Sequence, residues 1–360
     1  MPRRGKSFTL IRMKKTLIPF LSLLVACNST PEIPVVIADV QTENCLAHVE
    51  DDAADDPAFW LNEEHPEQSL LFGTNKTQSL EVYNLQGKRL ANYPIGRLNN
   101  VDVAISVTLG DTVYDIVAAS NRDFDRIDVW AINADATKLT LISDTSMNTE
   151  LSGVYGFCLW NDAANKKTYA FVNNKEGDVE QWELVPDSTH FKFQLITSFQ
   201  AEGQVEGMVV DYDDRILYLG EEQGGVFAYN LDNMSQERVR IPLSGDENKE
   251  LAYDIEGLAV YSMEDLHLLV TSSQGNNRYA VYNIDKDYAY LGVFGVEDEN
   301  GDRTQETDGI DIYSGAVGDI YPAGIFMCQD GFNYDVSGTK EPQNFKITDW
   351  RSIEQALGLK

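Results

Sequence analysis

The sequence predicts an all-β fold, a six-bladed β-propeller with four-stranded blades around a central channel. Three observations carry this. The chain is a succession of short runs rich in β-branched and aromatic residues, separated by Gly, Asn and Asp turns, with one helix candidate, SIEQAL, near the C-terminus. One pattern recurs six times, with a period of roughly 50 residues that suits four-stranded blades. Six units also fall within the usual range of about four to eight blades.

In chain order, the first segment reads as a targeting signal over residues 1–26. Arg3, Arg4, Lys6, Arg12, Lys14 and Lys15 precede TLIPFLSLLVA, an apolar run too short to span a bilayer. LVAC, ending at Cys27, resembles a bacterial lipobox, and Met13 offers a second possible start. Cys27 is therefore the expected lipidation site. The protein is expected to be a cell-envelope lipoprotein touching the membrane only through that anchor, and a secreted or periplasmic protein otherwise. Residues 27–46 read as a tether, and the run IPVVIADVQT is expected to supply a missing outer strand and close the ring. Residues 47–360 form the propeller.

The six units begin at DDPAFW, VDVAIS, VYGFCLW, VEGMVVD, IEGLAVY and TDGIDIY. Each opens on a polar residue and an apolar strand, followed by a polar turn and a second strand. Five continue to a third strand with a V-Y or V-W type ending and a further alternating run, such as TKLTLISD or FKFQLITSF. The sixth is irregular and ends in NFKITDW. Cys45, Cys158 and Cys328 have no disulfide or zinc spacing, and Cys158 and Cys328 read as small buried residues.

Innermost strands line the channel of a propeller, so equivalent positions converge on one mouth. The first register, where inner strands begin, holds Asp55 and Asp56, Asp102, Tyr155, Glu206, Glu256 and Asp308. Asp254, two residues before Glu256, faces the same side of an extended strand. The second register, after the second strand, holds Asn75-Lys76, Asn121-Arg122, Asn174-Lys175, Glu221-Glu222, Gln274-Gly275-Asn276 and Gln329-Asp330.

The net charge of −30 makes nucleic acid and anionic membrane surfaces poor partners. Yet three consecutive blades present Lys76, Arg122 and Lys175, from only 28 basic residues in the chain. A cationic wall beside hard oxygen ligands suits calcium together with a phosphate group. Taken singly, an Asp or Asn at a strand entry also serves as a turn cap, and the repeated EG and DG pairs also fit a backbone need for Gly. RHGxRxP, Cys-x5-Arg, GxxxxGKS/T and GxSxG patterns do not occur, and the four histidines fall outside both registers.

These residues resemble the β-propeller phytases, the calcium-dependent 3-phytase-type enzymes of bacteria. DDPAFW, TNK, GRLNNVDV, AASNR, VYGF, NKEG, VEGMVVD, DIEGL, SSQGN, TDGID, QDG and QNFK occur in the family's order across about residues 47–357. The resemblance implies hydrolysis of phosphomonoesters such as phytate, free or as its calcium complex, with several structural and catalytic calcium ions. It assigns calcium at the cleavage site to Asp55, Glu206, Glu222, Asp254, Glu256 and Asp308. It assigns phosphate to Lys76, Arg122, Tyr155 and Lys175, and structural calcium to Asp56 (with backbone near Val101) and to Asp330. Thr77 stands where family members often carry a second Lys. The expected chemistry is in-line attack by a calcium-activated water, without a phosphoenzyme, in a protein expected to be a monomer. A calcium-dependent lactonase or esterase, or a non-catalytic binding propeller, are the competing readings, and neither needs three cations in matched register.

Overall fold

The computed structural model describes Met1 and residues 33–133, 138–187, 190–234, 236–263 and 265–359. The leader, Cys27 and the start of the tether lie outside the described residues. None of the described helices is long and apolar enough to cross a membrane.

Two short strands come first, β1 (Val35–Ile37) and β2 (Val40–Gln41). Blade one is β3 (Ala54–Trp60), β4 (Leu70–Asn75), β5 (Ser79–Asn84) and β6 (Arg89–Tyr93). Blade two is β7 (Leu98–Leu109), β8 (Thr112–Asn121), β9 (Arg126–Ile132) and β10 (Leu139–Leu141). Blade three is β11 (Val154–Asp162), β12 (Lys167–Asn174), β13 (Asp178–Asp187) and β14 (His190–Gln200). Blade four is β15 (Val205–Asp211), β16 (Ile216–Glu221), β17 (Gly225–Asn230) and β18 (Val239–Arg240). Blade five is β19 (Ile255–Met263), β20 (Leu266–Ser273), β21 (Arg278–Asn283) and β22 (Ala289–Glu297). Blade six is β23 (Ile310–Tyr313), β24 (Ile325–Asp330) and β25 (Asn344–Asp349). The six-bladed all-β propeller predicted from the repeats is the architecture found.

The ring is closed by the N-terminal run. β2 pairs antiparallel with β25 as the outer strand of blade six, and β1 pairs parallel with β22 as a fifth strand of blade five. The run thus covers two sheet edges that would otherwise expose unpaired backbone groups. Val36 of β1 is buried in the cluster between blades five and six. Deleting residues 33–42 should lower the melting temperature by roughly 5–10 °C, from the loss of one buried valine and the edge hydrogen bonds. An unchanged thermal midpoint would show that these strands do not hold the ring.

The core lies between blades. Six apolar clusters each join the facing surfaces of two neighbouring sheets, so every blade depends on both neighbours. The helix expected at SIEQAL is α1 (Trp350–Leu357). The Asp349 side chain caps its start and Gly358, at φ 64°, ends it. Its Trp350 ring stacks on Tyr261 at 4.1 Å. Cys45, Cys158 and Cys328 are buried free thiols.

One irregularity recurs and governs the site. In five blades the inner strand carries one extra residue at its start, between Ala54 and Pro57, Leu98 and Val101, Val154 and Phe157, Val205 and Met208, and Ile255 and Leu258. A bulge of this kind re-aims a side chain. The second bulge position is Gly156, Gly207 or Gly257 in blades three to five. A Cβ would meet Glu206 O at 2.0 Å from Gly156 and Glu256 O at 2.0 Å from Gly207. The glycines of the EG pairs are thus required by close backbone approach between inner strands.

Candidate functional site

The first bulge position of each of these five blades points to one channel mouth, and Asp308, just ahead of β23, joins them from blade six. There Lys76, Tyr155, Lys175, Glu206, Glu222, Asp254, Glu256 and Asp308 line a cavity of about 390 Å³. Asp55 joins them through Lys76. The Lys76 ammonium lies 3.0 Å from Asp55 Oδ1, 2.8 Å from Asp308 Oδ2 and 3.0 Å from Asp52 Oδ1. Burial opposes its charge, but these carboxylates outweigh burial and hold Lys76 well above the ordinary lysine range.

Carboxylates outnumber cations here. Asp55, Glu206, Glu256 and Asp308 are all buried, and Glu206, Glu222 and Glu256 offer oxygens within 4.8 Å of one another. Burial, followed by the charges of Glu206 and Asp308, raises Glu256 well above the usual carboxylate range. Asp55 is raised too, by burial and by Glu206 and Asp308, against the pull of Lys76. Asp308 is pushed up to about 6, chiefly by burial. Glu222 rises to about 7 through burial, Glu206 and Asp254. Among the described residues, Asp55 Oδ2 and Glu256 Oε2 are buried without a hydrogen-bond partner. Orphaned carboxylate oxygens, like charges at close range and a single shared ammonium fit hard divalent cations.

The cationic wall is built on an aromatic ring. Lys175 Nζ lies 4.2 Å and the Arg122 guanidinium carbon 5.5 Å from the centre of the Tyr155 ring. The Tyr155 hydroxyl donates to Glu206. Burial and the Glu206 charge push the Tyr155 pKa strongly upward, so the phenol stays protonated. Glu222 accepts from Gln204, and Asp254 from Gln223.

The structure corrects one register position. Asp102 does not reach this mouth, because the bulge in β7 falls at Asn99 and Asn100 and leaves Asp102 three residues deeper, paired with Ala118. Its Oδ2 accepts from the Leu159 N–H at 2.8 Å, tying blade two to blade three, and it lines a cavity at the opposite mouth. The residue in register is Asn99. Its amide donates to Glu206 Oε1 at 2.7 Å and to Asn100 Oδ1 at 2.9 Å, while its Oδ1 accepts from Arg122 Nη1 at 3.0 Å. Asn99 thus joins the cationic wall to the carboxylates. No local signal in GRLNNVDV marks it, and only the pairing of β7 with β8 does.

Asp56 and Asp330 lie apart from the cavity. The Asp56 Oδ2 accepts from the Val101 N–H at 3.0 Å, across the boundary between blades one and two. Asp330 is buried in contact with the Lys346 ammonium and accepts from the Gln305 N–H at 3.0 Å. Lys346 of the QNFK motif supplies the buried positive charge beside Asp330. Gln274 of the second register also lines the mouth, and Glu50, Asp52 and Lys340, which belong to neither register, join it.

Comparison with known proteins bears on this arrangement. Residues 10–360 match the Phytase family. The 3-phytase of Bacillus subtilis (strain 168) is 41% identical over 317 residues, covering 86% of this chain and 82% of that protein. Among solved structures, a crystal structure of BBS1N in complex with ARL6DN, soaked with lead, covers 81% of this chain and 77% of its own at 12% identity, with a TM-score of 0.46. A mercury-soaked crystal of the same complex reaches a TM-score of 0.49 at 11% identity, covering 82% of this chain and 79% of its own. Neither of those two likenesses carries a functional argument.

Proposed function

The chain belongs to the phytase family, and from that premise we propose that it is a calcium-dependent phosphomonoester hydrolase that releases phosphate from phytate. The observation that carries this reading is the convergence of Lys76, Lys175 and Arg122, from three consecutive blades, beside a group of buried carboxylates with too little positive charge. Asp55, Glu206, Glu222, Asp254, Glu256 and Asp308 would hold the cations. When bound, calcium supplies neutralisation of the phosphoryl oxygens and a more acidic water.

The chain's own groups then have separate tasks. Arg122, set by Asn99, offers a planar fork to two phosphoryl oxygens, and Lys175, which also packs on the Tyr155 ring, adds a point charge. Lys76 neutralises charge on the carboxylate side of the cavity. Tyr155 keeps its proton and holds Glu206 in place. No Ser, Thr, Cys or His lines the cavity among the described residues, and carboxylates that hold cations and a tyrosine that keeps its proton are poor nucleophiles, which supports transfer to water without a phosphorylated side chain.

The test is phosphate release from phytate with added calcium, and again after chelation. Release that depends on calcium is expected. No release with calcium present would overturn the reading. A smaller effect is expected at Asn99. Asn99→Ala removes hydrogen bonds to two charged groups, so kcat/KM for phytate should fall about tenfold or more. Kinetics equal to wild type would show that Asn99 positions neither group.

A further inference from the structure

The histidines take no part in the catalytic mouth, but His267 belongs to a polar cluster at the other end of the channel. β15 runs from Glu206 to Asp211, roughly 16 Å away along the strand. Asp211 is 1% exposed. Its Oδ1 accepts from the N–H groups of Asp213 (3.0 Å) and Asp214 (3.3 Å), which fixes the carboxylate and turns Oδ2 toward blade five. There His267 of β20 presents Nε2 at 2.9 Å from Asp211 Oδ2. The approach lacks hydrogen-bond geometry, and neither atom has a hydrogen bond among the described residues. On the other side of the ring, Nδ1 lies 3.1 Å from Asp285 Oδ1. The Asp213 carboxylate completes a group whose ligand atoms all lie within 4.8 Å of one another, and its Oδ2 accepts from Ser262 Oγ at 2.9 Å.

We propose that Asp211, Asp213 and His267 bind a first-row transition-metal dication of the zinc or cobalt type, stapling blade four to blade five. A proton on Nδ1, donated to Asp285, leaves the Nε2 lone pair free, beside Asp211 Oδ2 but not aimed at it. A carboxylate that orients a ligating imidazole in this way is the usual outer partner of a metal-bound histidine. Two ligand atoms about 2.0–2.2 Å from one ion stand about 3.3–3.6 Å apart at the tetrahedral angle and about 3 Å apart at a right angle, so the 2.9 Å between Nε2 and Oδ2 lies at the short end of that range. The buried Oδ2 without a hydrogen bond is the second sign that something other than the protein is meant to meet it. One imidazole with two carboxylates favours zinc, cobalt or nickel over calcium, whereas the catalytic mouth offers oxygen ligands only. The competing arrangement is an imidazolium ion-paired with Asp211 and Asp285, which would leave no ligand nitrogen.

The experiment uses the full chain saturated with calcium, so that the mouth carboxylates are occupied, and titrates in Co²⁺. Expected is a visible d–d absorption band of a nitrogen-ligated Co²⁺ that saturates at one equivalent and is displaced by Zn²⁺. His267→Gln should lose the band while keeping calcium-dependent phosphate release. Asp285→Asn leaves all three ligands in place and should weaken Co²⁺ binding about 10–100-fold. The proposal is overturned if wild type gives no such band, if the band survives in His267→Gln, or if Asp285→Asn binds Co²⁺ as wild type does.

Discussion

Arg122→Ala is expected to lower the rate of phosphate release from phytate by about 10²–10³-fold, the usual cost of removing one preorganised donor that faces developing charge. The guanidinium is held at two points. Nη1 donates to Asn99 Oδ1 at 3.0 Å, and the group lies 5.5 Å from the centre of the Tyr155 ring. On the proposed reading it would meet a phosphate with little orientation left to arrange. The alanine variant should stay folded, because Asn99 keeps its bonds to Glu206 and Asn100. Arg122→Lys retains the charge but loses the planar fork, so it should recover only part of the rate. Steady-state kinetics on purified variants, with a melting curve for each, decide the matter. An alanine variant with wild-type kcat and KM would remove Arg122 from the mechanism.

Chelation should have the next largest effect, on stability, and its size should depend on pH. A cation that binds only the folded protein contributes about 2.7 kcal/mol at a hundred times its Kd, and several ions act together. Without cations, the mouth holds carboxylates whose folded pKa values lie above those of the unfolded chain, with Asp308 at about 6 and Glu222 at about 7. The folded state then binds more protons than the unfolded one across this range. Stability is greatest below about pH 4, where the carboxylates are protonated in both states, as far as these groups alone are concerned. It falls as pH rises through about 4 to 7, where the folded groups must ionise against one another. The melting temperature in EDTA should therefore drop over that window, and calcium should flatten the profile. A melting curve that EDTA leaves unchanged at pH 8 would rule out cations as a source of stability.

Much of the fold and site was legible because it repeats. Alternating apolar and polar residues recur with one period, so the blades could be superposed in sequence. Lys76, Arg122 and Lys175 then fell into one register, as did Glu206, Glu256 and Asp308. Hydrophobic periodicity is local, and local patterns survive in a list of residues. Asp102 was misplaced because GRLNNVDV does not show where its extra residue lies. A bulge shifts register by one, and only the pairing of β7 with β8 places it at Asn99 and Asn100.

The sequence by itself therefore determined the propeller, its six blades, the acidic charge and most of the charged residues that converge on the cavity mouth. The tertiary structure alone decided how adjacent residues divide their tasks. Asp55 meets Lys76, while Asp56 turns to the Val101 N–H of the next blade. It also decided that Lys346 lies against Asp330, and that His267 faces Asp211 across a blade boundary. Each of these pairs spans two strands or two blades. Such contacts depend on strand register and on the packing angle between sheets, quantities set by the closed ring as a whole and not by any stretch of its sequence.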